Sequence, residues 1–555
     1  MHYLIIATIF AISSVESLLI TVEQGTLNGT HLEARNGKLF NAFYGIPYAK
    51  PPIGKLRFKP PVKAGPWKGI LDATQHPPIC IQTLEGTSTI EGTEDCLYLD
   101  IYTPLNARKG SNLPVIVYIF GGKFKQGSTY ENGPQNIMQN DVIIVFPSYR
   151  LGVFGFLSTG DTVIPGNFGL KDQTLAMKWV QKNIHHFGGD PDRVTLHGHS
   201  SGAACVHLHT LSPASKGLFH KVIIQSGVGS CTIEYFGPDV SRAIAKEFGI
   251  RVGCPSVTSS QDMYECFMNI PPNITASIPE QMYVWDLDPD ATFRPTIEDK
   301  NAEQAFLTEM PNQARYQANN IPWLIGITTG EGAFKVARYL NIDNDAELAP
   351  LINEDYELLF PITMQYLWNT KVEDLNFISK ALRKRYFGNR EIGKETDREM
   401  TSMYTDAMYG FCTIDAIRTY PGPKHVYLYN YSGNYSMKVQ NCIGNYDKFL
   451  GPSHADEVRL FFERQGTIDL INDEDLRFGD ELIKRWINFA YTSDPNSPMK
   501  IDETIMGYWK PVTSNRIEYL FIDWNGTMRT DLYKGTYQFW KSLPIGSRYY
   551  NYGKS

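Results

Sequence analysis

Val194-Thr195-Leu196-His197-Gly198-His199-Ser200-Ser201-Gly202-Ala203-Ala204-Cys205-Val206 is the stretch on which the fold turns. Val194 to His197 reads as a short strand, Gly198 to Gly202 as a sharp turn, and Ala203, Ala204 and Val206 as the start of a helix. A G-x-S-x-G turn between strand and helix lifts the Ser200 hydroxyl into the open, and the helix N-terminus beyond it favours developing negative charge. The glycines are needed sterically, because side chains in so tight an elbow collide with neighbouring backbone. In a chain with 46 glycines the five-residue pattern alone is a weak signal. The strand before it and the helix after it give it weight.

Working outward, short apolar runs rich in β-branched residues recur between helical patterns. They are Val115 to Ile119, Val142 to Val145, Val222 to Ile224 and Leu324 to Ile327. Continuous apolar runs of this length suit parallel strands buried on both faces. Leu175, Ala176, Trp179, Val180 and Ile184 make one apolar helical stripe, and Leu482, Ile483, Trp486 and Phe489 make another within Glu481 to Tyr491. The alternation predicts an α/β fold with a large, mostly parallel central sheet flanked by helices. No Pro/Gly/Ser-rich linker divides the chain, so residues 18–555 read as one large domain.

A serine hydroxyl is a poor nucleophile until a base takes its proton and a third group orients that base. Behind a nucleophile elbow of this kind the chain order is Ser, acid, His. Leu324-Ile325-Gly326-Ile327 leads into Gly330-Glu331-Gly332, which makes Glu331 the candidate acid. Gly451-Pro452-Ser453-His454-Ala455-Asp456-Glu457 opens a helix late in the chain, which makes His454 the candidate base. On the residues alone Glu331 is one of many acids and His454 one of 12 histidines, so a surface carboxylate and a loop histidine are the favoured readings at this point. A tetrahedral intermediate also needs hydrogen-bond donors for its oxyanion. Phe120-Gly121-Gly122-Lys123 follows the first strand run and presents a glycine turn suited to that.

The bulk numbers exclude more than they identify. The 555 residues are 42% hydrophobic and 20% charged with a formal net charge of −7, which gives no electrostatic reason to expect a nucleic-acid partner. Leu4 to Ile12 is an apolar stretch too short to span a bilayer, and compact residues around Val15 and Ser17 predict a signal peptide over residues 1–17. No later run reaches the ~18 apolar residues of a membrane span, so no membrane anchor is expected. Eight cysteines fit an oxidising compartment. Cys80/Cys96 and Cys254/Cys266 are each close enough in sequence to clip a short loop, worth roughly 3 kcal/mol in the chain-entropy model. No Cys/His cluster has zinc-ligand spacing, so no metal is expected. N-x-[ST] sequons stand at Asn28, Asn273, Asn430, Asn434 and Asn525. Together these features predict a secreted, extracellular glycoprotein.

Phe187-Gly188-Gly189-Asp190-Pro191 through Gly202, and Glu94-Asp95-Cys96-Leu97-Tyr98-Leu99-Asp100-Ile101-Tyr102-Thr103-Pro104, resemble the two signatures of the type-B carboxylesterases, the cholinesterase-like family of the α/β-hydrolase fold. Gly45 to Ala49, Tyr149 to Gly152 and Gly169 to Gln173 match as well, so the resemblance covers nearly the whole mature chain. It implies Ser200 as nucleophile, Glu331 as acid and His454 as base. It implies oxyanion donors from the backbone of Gly122, Lys123 and Ser201, disulfides Cys80–Cys96 and Cys254–Cys266, a small-molecule ester as substrate, and no cofactor. The pattern is most similar to secreted insect esterases that clear hormone, odorant, dietary or xenobiotic esters.

The departures from the family pattern are informative. Phe120 and Lys123 stand in a segment that usually reads His-Gly-Gly-Gly or His-Gly-Gly-Ala, His199 stands where Glu or Gln is usual, and Ser201 replaces Ala. Residues 81–95 carry no aromatic side chain, so the cation–π platform of a cholinesterase is missing. Tyr537 replaces a cysteine that would pair with Cys412, which leaves Cys442 as a substitute partner and Cys205 as a buried free thiol. A non-catalytic, neuroligin-like adhesion protein on the same fold is the competing reading; the complete set of three candidate residues favours the enzyme.

Overall fold

The computed structural model describes residues 18–84, 86–314, 320–342, 348–464, 468–513 and 516–549. The signal-peptide expectation for residues 1–17 lies outside them; the first strand, Leu18–Val22, begins at the next residue.

Seven strands form the parallel heart of a 13-stranded sheet. They are β1 (Leu113–Ile119), β2 (Ile143–Pro147), β3 (Gly189–His199), β4 (Lys221–Gln225), β5 (Trp323–Thr328), β6 (Lys424–Tyr429) and β7 (Tyr519–Ile522). Their spatial order is β2-β1-β3-β4-β5-β6-β7, every neighbouring pair parallel. Antiparallel strands extend the sheet, Tyr98–Pro104 pairing with β2 and Thr527–Arg529 with β7. β2, β4 and β5 are buried at every residue, because helices cover both faces of the sheet. That is why their sequences are unbroken apolar runs rather than alternating ones.

The two helices read from the sequence are present with shifted ends. The first spans Phe168–Asn183, with Ile184 already in a 3₁₀ turn; the second is longer than expected, Asp473–Thr492. Its extra N-terminal turns come from a capping box, in which Asn472 accepts from the Asp475 N–H and Asp475 accepts from the Asn472 N–H.

All seven parallel strands end at one edge of the sheet, and the loops leaving that edge carry every candidate catalytic residue, as expected for an open α/β sheet. The Phe120–Lys123 turn leaves β1, Ser200 leaves β3, Glu331 leaves β5 and His454 stands in the connection after β6.

Three cysteine pairs are bonded. Cys80–Cys96 and Cys254–Cys266 match the expectation. The partner of Cys412, which the sequence left open with Cys442 as one candidate, is Cys231, in the turn after β4. The two are 181 residues apart in sequence but have Cα atoms 5.2 Å apart, because the helix Phe411–Thr419 packs back against that turn. Tyr537, in the place of the missing cysteine, lays its ring against Phe411 at 5.7 Å and donates its hydroxyl to Asp415. Cys205, which is buried, and Cys442, which is exposed, are in no disulfide among the described residues. Denatured, unreduced protein is therefore expected to titrate two thiols per chain and the native protein one. A count of four after denaturation would rule out the Cys231–Cys412 bond.

Candidate active site

Ser200 sits between β3 and the helix Ser201–Leu211 with φ 59° and ψ −131°, a conformation that costs of order 1–3 kcal/mol and persists only when the surroundings enforce it. They do. The Ser200 N–H donates to the Gln225 carbonyl and its own carbonyl accepts from Ala204. A Cβ on Gly198 would lie 2.4 Å from the Gly202 carbonyl oxygen, and one on Gly202 would lie 2.1 Å from the Ile119 carbonyl oxygen. Both glycines of the motif are thus fixed by close backbone approach, as the sequence predicted.

Glu331 is fully buried, three residues beyond β5. Its Oε1 accepts from the Ser226 hydroxyl at 2.5 Å and the Thr328 N–H at 2.7 Å, and its Oε2 lies 2.6 Å from Nδ1 of His454. The Glu331 and His454 loops are tied to each other, Gly330 N–H donating to the Pro452 carbonyl. The imidazole is walled by rings, with Tyr409 stacked at 4.6 Å, His199 at 4.6 Å and Phe334 at 5.7 Å. His454 and Ser200 line the same cavity, of about 540 Å³, together with Gly122, Lys123 and Ser201. Ser200 and His454, from far-apart segments, therefore face one cavity, with Glu331 directly behind the imidazole.

The glycine turn after β1 runs against the nucleophile. A Cβ on Gly121 would lie 2.6 Å from the His199 carbonyl oxygen, and Gly122 has φ 127° with room for no side chain. Gln82 clamps the far end of this loop, accepting from the Gly127 N–H and donating to the Gly127 carbonyl. Ser201 adds a tether that alanine would lack, its Oγ accepting from the Phe124 N–H at 3.2 Å. Phe120 stacks on Tyr149 at 4.5 Å, so the loop is held there by ring packing. Among the described residues the backbone N–H groups of Gly122 and Ser201 have no acceptor. The Lys123 ammonium is drawn along the wall to Asp290, 3.4 Å away, over the Phe334 ring. Burial pushes the Asp290 carboxyl up, but Lys123, Lys335 and Arg338 outweigh it and hold it far below the usual range.

His199 contributes no positive charge beside the nucleophile. Burial, and then the neighbouring His454 and Arg459, hold it well below the ordinary imidazole range. His197 and His209 are also held neutral by burial, pushed down to about 4 and about 3. His209 is fixed by Ser215 and Gln173, and His197 by Gln225. These are core histidines, and among the described residues no group of three or more His, Cys, Asp or Glu side chains is placed to hold a metal ion.

Behind Glu331 lies a second buried acid. Glu457 accepts from Gln225, and burial followed by the Glu331 charge pushes its carboxyl up to about 8 from an ordinary 4.5. Such a group favours the folded state fully below pH ~4.5 and loses that contribution as pH rises towards 8, by about 1.4 kcal/mol per pH unit. From pH 5 to pH 8 the unfolding free energy of Glu457→Gln, which keeps the neutral state, should increase relative to that of the wild type, since only the wild type loses the Glu457 contribution. Equal slopes would contradict the assignment.

The model of the carboxylesterase family matches residues 16–540. The chain belongs to this family. Among curated relatives of this carboxylesterase, Esterase FE4 of Myzus persicae is 34% identical, the match covering 92% of this chain and 90% of its own length. Juvenile hormone esterase of Tribolium castaneum is 33% identical over 89% of this chain and 86% of its own. The crystal structure of juvenile hormone esterase from Manduca sexta, with OTFP covalently attached, superposes with a TM-score of 0.82 at 29% identity, covering 95% of this chain and 99% of that one. The carboxylesterase chain therefore has the α/β-hydrolase fold and the activity of a carboxylic-ester hydrolase. Sequence reading missed three contributors to its site. Ser226, which bonds Glu331, follows β4 directly, and a polar residue at that strand end was the available signal. The Asp290 partner of Lys123 comes from a loop without a motif, and the cavity-lining Arg459 stands in the short helix Val458–Phe461, where an arginine two residues past Glu457 carries no signal of what it faces.

Proposed function

We propose that this carboxylesterase hydrolyses small-molecule carboxylic esters through an acyl-enzyme on Ser200, with His454 as the general base and Glu331 as its orienting acid. The observation that carries the reading is the division of labour at Glu331: one oxygen is filled by Ser226 and Thr328, and the other is left for Nδ1 of His454. This leaves Nε2 to take the proton of the Ser200 hydroxyl as Oγ attacks the ester carbonyl. The N–H groups of Gly122, Lys123 and Ser201 receive the oxyanion. The alcohol leaves with the proton from Nε2, and water repeats the sequence to release the carboxylic acid. Because the Lys123 ammonium is engaged by Asp290, its backbone N–H rather than its charge serves the oxyanion.

The test is a short-chain aryl ester assay with stoichiometric labelling by a fluorophosphonate. One label per chain on Ser200, with loss of turnover, is expected; an unlabelled, inactive protein would return the adhesion reading. We further propose that residues 1–17 are removed on secretion and that 18–555 act outside the cell as one catalytic domain. No helix among the described residues is long and apolar enough to cross a membrane. Of the sequons, Asn273, Asn434 and Asn525 are exposed, whereas Asn28 and Asn430 are half-buried and Asn430 accepts from Thr329. Glycosidase treatment in heavy-oxygen water should mark the first three asparagines; labelling only at Asn28 and Asn430 would contradict this.

A further inference from the structure

We propose that Arg459 makes the cavity selective for esters that also carry a carboxylate. This rests on Ser200 being the nucleophile and names the substrate class of that same site. Four cationic and three acidic side chains line the cavity, in a chain whose net charge is −7. Most are already engaged. Lys123 pairs with Asp290, Arg464 pairs with Glu131 at 2.6 Å, and Arg294 donates to the carbonyls of Ala291 and Ile233. Burial pushes the Glu234 carboxyl up to about 7, so it repels an incoming anion weakly at neutral pH.

Arg459 is the exception. No carboxylate lies within 4.0 Å of its guanidinium among the described residues, no side-chain hydrogen bond satisfies it, and its Nε is buried without an acceptor. Burial, and then the like charge of Arg464, push it down to about 10, still cationic at any physiological pH. The side chain is half-buried, with Nε out of water and without an acceptor, so a counter-charge arriving from the cavity is favoured. Its place fits a role in recognition. It lines the cavity with Ser200 and His454, and its charge reaches His199, whose ring rests 4.6 Å from that of His454. A cavity of about 540 Å³ is roughly 10 Å across, so an ester with its carbonyl at Ser200 and a carboxylate a few bonds away spans the distance. The planar guanidinium then takes the carboxylate through paired N–H···O bonds.

A carboxylate on the acyl side and one on the alcohol side are separated by matched ester pairs. The acyl pair is 4-nitrophenyl hydrogen glutarate against its methyl ester; the alcohol pair is 3-acetoxybenzoate against its methyl ester. The readout is the ratio of kcat/KM for the anionic to the neutral member, in wild type, Arg459→Met and Arg459→Lys. In at least one pair Arg459→Met is expected to lower this ratio on the order of ten- to a hundredfold, chiefly through KM, with Arg459→Lys in between. Free glutarate should also inhibit wild-type hydrolysis of phenyl acetate competitively and more strongly than its dimethyl ester does. Ratios within twofold in both pairs, with no preference for glutarate, would overturn the proposal while leaving Ser200 untouched. Absence of turnover and of fluorophosphonate labelling in the wild type would instead remove the nucleophile assignment, and this inference with it.

Discussion

Replacing Ser200 with alanine is expected to lower kcat for a short-chain aryl ester by between about 10⁴- and 10⁶-fold, with KM little changed. The residues of a nucleophile–base–acid unit act together, so losing the nucleophile costs nearly as much as losing the whole unit, and oxyanion donors and binding supply what remains. The fold should survive, because among the described residues the hydroxyl makes no bond that holds the elbow. The Ser200 backbone and the close approaches at Gly198 and Gly202 do that. Equal circular dichroism and melting curves with abolished turnover would isolate the chemistry from the structure. Turnover that persists unchanged in Ser200→Ala would end the assignment of this side chain.

Glu331→Gln carries the second large effect, a loss of about 10³- to 10⁴-fold in kcat/KM. The carboxylate offers only acceptors, so Nδ1 of His454 must carry the proton and Nε2 stays free to accept one from Ser200. A glutamine keeps its carbonyl oxygen on Ser226 and Thr328, where two donors already point at Oε1. Its amide group then faces His454 as a donor, favours the proton on Nε2 and removes the base. Little rearrangement is needed, so the melting temperature should change far less than the rate does. The fluorophosphonate labelling rate should fall in parallel with kcat/KM. A Glu331→Gln enzyme within tenfold of wild type would show that the imidazole is oriented by something else; the stacked Tyr409 ring is the first place to look.

The elbow, the parallel strands and the Ser–acid–His order were legible because each is a local pattern. Gly198-His199-Ser200-Ser201-Gly202 encodes its own geometry, since the two glycines are demanded by backbone within a few ångströms. Buried strands such as Ile143–Pro147 declare themselves as unbroken apolar runs. Two of the three disulfides close loops of 12 and 16 residues and could be read as neighbours. The third spans 181 residues, and no local spacing distinguishes Cys231 from Cys442 as the partner of Cys412.

The sequence by itself therefore determined the layer architecture and the nucleophile turn, because period and glycine placement are properties of short segments, while Glu331 and His454 were picked out from many acids and 12 histidines by resemblance to the family pattern. Tertiary structure alone decided what each charged group faces. Lys123 meets Asp290 from a loop 167 residues away, and Arg459 faces a cavity in which its charged neighbours are paired while, among the described residues, its own guanidinium meets no carboxylate. The physical reason is that the strength and partner of a charge depend on distance and burial in three dimensions, and neither is encoded in the residues next to it in the chain.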